Sequence, residues 1–179
     1  DARLGDLEGA REALIAANLI DPENDELSYQ IGVLMLADEP ENALLHLQTI
    51  QQGSPRRSDA LYLVEMINTK TAIDPDIRWF MLAGQALSKL GEWDAAIHAF
   101  QSVLEADAEN AIAWALLGEA QQQNNEDGKT SLARAIMLDP DGELVNALMG
   151  LYYRRQGDIE KALGYLEHAL SANPKAAVW

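Results

Sequence analysis

The chain has 179 residues, 48% of them hydrophobic, enough to bury a core in one or two domains and too many for a disordered chain. With 13 basic residues against 29 acidic ones, its formal net charge of -16 repels the phosphate backbone of a nucleic acid and an anionic membrane surface alike. The absence of cysteine excludes disulfides and thiolate metal sites.

Ala, Leu, Glu and Gln dominate and aromatics make up only 6%, a vocabulary of helices, so no sheet is expected. No apolar run approaches the roughly 18 residues that span a bilayer. The opening DARLGDLEGA has neither a basic nor an apolar leader region. A soluble piece is expected, with no membrane insertion and the cytoplasm favoured over the periplasm.

Residues 1–24 read as one helix, DLEGAREALIAANL, stopped by Asp21-Pro22, with Ala10, Leu14 and Ala17 on its inner stripe. It looks like the second helix of a repeat whose first is missing. Residues 25–57 hold a fuller unit: ELSYQIGVLMLA, a turn at 38–41, then NALLHLQTIQQ, with Gly32 at the close contact between the two. Between Pro55 and Pro75 there is room for one helix only, SDALYLVEMINTKTAI, with Ser58 or Asp59 as its N-cap, so 58–76 is expected to be a single irregular helix.

Residues 77–110 form the clearest unit. Phe80, Ala83, Gly84 and Leu87 make one helical stripe, Gly91-Glu92-Trp93-Asp94 turns, and Ala96, Ile97, Phe100, Val103 and Leu104 make the facing stripe. Residues 111–142 repeat it with Trp114, Leu117 and Gly118 and a shortened unit. Residues 143–176 repeat it with Gly150, Tyr153, Gly157, Ala162, Leu166, Ala169 and Pro174, and 177–179 begin another helix.

A period of about 34 residues with Trp-x2-Leu-Gly, Ala-x3-Phe and a closing Pro resembles the tetratricopeptide repeat. The layout is more faintly similar to the repeat region of thioredoxin-fused bacterial chaperones, and a bacterial source is expected. The resemblance implies an all-α, right-handed superhelical solenoid of antiparallel helix pairs, with one extra helix near 58–73. First helices would line a concave groove that takes a peptide or helix of a partner protein.

Family usage places helix positions 2, 5, 9 and 12 on the groove wall. Here these are Glu26, Tyr29, Val33 and Leu36; Arg78, Met81, Gln85 and Ser88; Ile112, Ala115, Glu119 and Gln122; and Leu144, Ala147, Leu151 and Arg154. The same apolar positions equally suit packing on neighbouring repeats. The Lys-x3-Asn and Lys-x3-Arg pairs of the chaperone-tail clamp are absent at the matching places. Arg78, Lys89, Arg154 and Arg155 are the only basic residues on the first helices of the last three repeats, and Lys89, Arg154 and Arg155 suit the helix C-terminal dipole.

His46, His98 and His168 lie on different second helices without companions at ligand spacing, so no metal, cofactor or catalytic residue is expected. The favoured function is a non-catalytic protein-interaction scaffold. The alternative is a regulatory or substrate-delivery segment of a larger enzyme or of a secretion or assembly machine. Both ends interrupt a repeat, and self-association through them is expected.

Overall fold

A computed structural model describes the backbone of residues 2–69 and 76–172 and the side chains of 7–69 and 76–171. Among the described residues the regular structure is entirely α-helical: α1 (Ala2–Ile20), α2 (Asp25–Met35), α3 (Pro40–Thr49), α4 (Arg57–Thr69), α5 (Ile77–Leu90), α6 (Trp93–Ala106), α7 (Ala111–Gln123), α8 (Lys129–Leu138), α9 (Glu143–Arg155) and α10 (Ile159–Ala172). The chain divides into two compact units, Asp1–His98 and Ala99–Trp179, with the division inside α6.

Local chemistry sets where these helices start and stop. Side chains of Asn24, Asp76 and Asn110 cap α2, α5 and α7 by accepting backbone N–H bonds at 3.3 Å from Leu27, 2.9 Å from Arg78 and 3.0 Å from Ala113. Pro40 opens α3, where its missing N–H leaves no ladder bond unmade.

The helices α5, α7 and α9 end alike. Gly91, Asn125 and Gly157 take positive φ of 80°, 60° and 79°. After α5, the Glu92 amide donates to Leu87 O at 3.0 Å and the Gly91 amide to Ser88 O at 3.2 Å; the pairs Glu126–Gln121 and Asn125–Gln122, then Asp158–Tyr153 and Gly157–Arg154, repeat this closure. Helix α2 ends differently: Leu36 stays right-handed and Glu39 N donates to Met35 O at 2.8 Å, ahead of Pro40.

Within each unit the pairs pack through a shaved helix face. A Cβ on Gly32 would lie 2.6 Å from Leu47 Cγ in α3, one on Gly118 2.7 Å from Leu132 Cγ in α8, and one on Gly150 2.7 Å from Leu166 Cγ in α10. Tyr29, Ile31, Leu36, Leu47, Ile50, Leu63, Leu87 and Ile97 are the largest fully buried side chains of the first unit. The core of the second is built on Ala115, Leu132, Ala135, Val145, Leu148, Met149 and Tyr152.

Helix α4 packs on α3 and buries Ala60, Leu63, Met66 and Ile67. It begins at Arg57, so Ser58 and Asp59 lie in its first turn and do not cap it. Residues 70–75, the end of the single helix expected there, and 177–179, the expected start of another, lie outside the described residues. Helix α1 packs on α2, with Leu14 and Ala17 half-buried as the stripe implies, but Ala10 is exposed.

Candidate interaction surface

The α2 positions read from the sequence as groove wall divide sharply. Glu26 is exposed, whereas Tyr29, Val33 and Leu36 are 0%, 2% and 0% exposed and belong to the core of the first unit. Position along a helix fixes which way a side chain points, not what covers it, and the α2 wall is already covered by its own chain.

Over Tyr29 lies Arg56, from the connection between α3 and α4, its guanidinium carbon 4.6 Å from the ring centre. The fork of Arg56 engages Glu26 twice, Nε to Oε2 at 2.9 Å and Nη2 to Oε1 at 3.0 Å. Its Nη1 stands 3.6 Å from Glu92 and 4.0 Å from Asp59. The Glu26 carboxyl is held below its ordinary pKa, first by the Arg56 hydrogen bonds. Burial first, then the charge of Glu92 and its hydrogen bond, push the Tyr29 hydroxyl well above its ordinary value. Sequence reasoning missed Arg56. The signal was there: Arg56-Arg57 is a doubly basic step in a strongly acidic chain, placed where the repeat period breaks.

On α5, Arg78 is exposed and turns back to Asp76 at 2.9 Å, Gln85 is exposed, and Met81 and Ser88 are half-buried, with Ser88 Oγ donating to Gly84 O at 2.8 Å. Lys89 lies over the Tyr62 ring of α4 at 4.4 Å.

In the second unit α7 and α9 lie side by side. Ile112 and Leu144, each the second residue of its helix, are 46% and 40% exposed. Farther along, the Arg155 fork holds Glu119, Nη2 to Oε1 at 2.6 Å and Nη1 to Oε2 at 2.7 Å, and reaches Gln122 Oε1 at 3.4 Å. Burial raises the Glu119 pKa, but the bonds from Arg155 and Gln123 outweigh it and hold the carboxyl below its ordinary value. Leu151 packs at the core edge, Ala115 is buried, and Arg154 is exposed.

The histidines sit apart. His98 Nε2 lies 2.7 Å from Asp38 Oδ2, His168 Nε2 lies 3.1 Å from Asp141 Oδ1, and partial burial lowers the His46 pKa. Among the described residues no three His, Cys, Asp or Glu side chains form a group that could hold a metal, and no helix is long and apolar enough to cross a membrane.

The tetratricopeptide repeat profile matches residues 81–143 in one form and 145–176 in another, together more than half of the chain. No curated protein matches. Among solved structures, YrrB, described as a TPR protein with an unusual peptide-binding site, is similar at 18% identity and a TM-score of 0.51, over 98% of this chain and 82% of that one. MamA residues 41 to the end, from Desulfovibrio magneticus RS-1, is similar at 19% identity and a TM-score of 0.50, over 97% and 89%. At these identities the likeness concerns the fold. Tetratricopeptide repeats are typically non-catalytic interaction modules, and the chain belongs to this family of helical-repeat protein-interaction scaffolds.

Proposed function

We propose that the chain holds an extended segment of a partner protein across α7 and α9. The observation that carries this is the pair Ile112 and Leu144, large apolar side chains exposed at the same register on neighbouring first helices. Packed helices lie about 8–10 Å apart, which an extended peptide spans with residues two or three apart at about 3.3 Å each. A ligand with two apolar side chains at that spacing would cover both.

The other end of the surface is polar, and there Glu119 is already neutralised by Arg155. It therefore supplies alignment by hydrogen bonding more than a charge anchor. The chain's charge of -16 favours partners with neutral or basic flanks through encounter rate rather than affinity.

The test is a peptide array probed with the full chain and with the double variant Ile112→Asp, Leu144→Asp. Removing two half-exposed apolar contacts should weaken selected peptides by about 1.5–3 kcal/mol, with the circular-dichroism spectrum and melting unchanged. Equal binding of the same peptides by both proteins would overturn the proposal.

A further inference from the structure

The group around Arg56 is a complete guanidinium receptor built from three separate parts of the first unit. Tyr29 on α2 supplies an aromatic floor, Glu26 a bidentate carboxylate, and Asp59 on α4 and Glu92 ahead of α6 two further carboxylates beside the remaining nitrogen. Three negative charges face one positive charge. A single arginine therefore leaves the cradle with an excess of negative charge.

The occupant is not sealed in. The Arg56 side chain is 32% exposed and Glu26 54% exposed, while the floor, Tyr29, is fully buried. Arg56 stands immediately ahead of α4, its amide donating to the Ser54 hydroxyl at 3.3 Å and its carbonyl accepting from the Ala60 amide at 2.9 Å, so it is the side chain rather than the backbone that must give way.

We propose that this cradle is a binding site for an arginine side chain of a partner protein, occupied in the free chain by Arg56, which the partner's arginine displaces. The site is separate from the α7–α9 surface and stands or falls independently of it. A planar fork over an aromatic ring with bidentate acid contact selects arginine over lysine, whose ammonium is a point donor without the parallel pair of N–H groups.

The experiment compares the wild-type full chain with Arg56→Ala, using a blocked pentapeptide with a central arginine and the same peptide with lysine. Emptying the cradle should tighten binding of the arginine peptide by about tenfold or more, the weight of one charge-assisted hydrogen bond, leave the lysine peptide weak, and be reversed by adding Glu26→Gln. In the wild-type chain, whose folding is not at issue, the Arg56 Nε resonance should move on titration with the arginine peptide and stay still with the lysine peptide. Equal affinity of Arg56→Ala and wild type for the arginine peptide, equal binding of the two peptides, or an Arg56 resonance indifferent to the arginine peptide would each overturn the proposal.

Discussion

At the scale of single residues, the two kinds of helical glycine carry opposite expectations. A Cβ on Gly118 would meet Leu132 Cγ at 2.7 Å and, less forgivingly, the Gly128 carbonyl oxygen at 2.9 Å and the Leu132 amide nitrogen at 3.0 Å. Gly118→Ala must move backbone and should cost about 1–3 kcal/mol. Gly164, on α10, has nothing within 4 Å of its added Cβ, and Gly164→Ala should gain about 0.5–1 kcal/mol from helix propensity. Urea melts of the two variants read both signs in one measurement. Phe100, 0% exposed, leaves a cavity in Phe100→Ala and should cost about 3–5 kcal/mol by the same melts. For Glu119 the folded pKa is depressed below its ordinary 4.5, so its stabilisation is fully present above that pH and is lost as the pH falls through the folded value. The gap in melting temperature between wild type and Glu119→Gln should therefore be widest near neutrality and close in acid; a gap independent of pH would contradict the bond to Arg155. The glycines at close contacts were legible from spacing alone. Arg56 and Arg155 as partners of Glu26 and Glu119 were not, because these ion pairs join residues 30 and 36 positions apart, beyond any helical period.

At the scale of the element, the endings of α5, α7 and α9 show one closure solved with different residues, glycine twice and asparagine once. An alanine at Gly91 would have to adopt a φ of 80°, and Gly91→Ala should lose about 1–2 kcal/mol. Asn125→Gly should be neutral or stabilising, since it relieves the same conformation at φ 60°. Thermal melts of the pair check this, and a stable Gly91→Ala would mean that the closure is not what ends α5. Helix positions were largely readable because several ends carry a chemical marker: Asn24, Asp76 and Asn110 at starts, Pro40 at α3, and Gly91 and Gly157 at ends. The start of α4 was misread because Ser58 and Asp59 are good capping residues that happen to lie one and two places inside it. The wall of α2 was read too generously for a related reason. Periodicity identified the face of Tyr29, Val33 and Leu36, but the burial of that face depends on tertiary neighbours that no period encodes.

At the scale of the whole molecule, acidity is the dominant field. With 29 acidic residues against 13 basic ones, self-repulsion outweighs the exposed ion pairs, each of which is worth little. Raising salt from about 0.01 to about 0.5 M shortens the screening length severalfold and should therefore raise the melting temperature; a fall would show that the paired arginines matter more than the net charge. The helical-repeat architecture was legible because the same stripe and the same punctuation recur, whereas the partner was not, since a groove is written in what its residues leave uncovered. The indole of Trp79 is an optical marker inside the first unit, which also holds Trp93. It is 4% exposed and its Nε1 donates to the carbonyls of Leu36 at 3.2 Å and Ala37 at 3.0 Å. Most contacts in a helical repeat close over short stretches of chain, but this one closes over 42 and 43 positions, bridging across α3 and α4. Loop closure of that length comes late in assembly, so in stopped-flow refolding of a variant with Trp93, Trp114 and Trp179 replaced by phenylalanine, the blue shift of Trp79 emission should lag the recovery of far-ultraviolet ellipticity, timing the moment at which α5 docks on the end of α2.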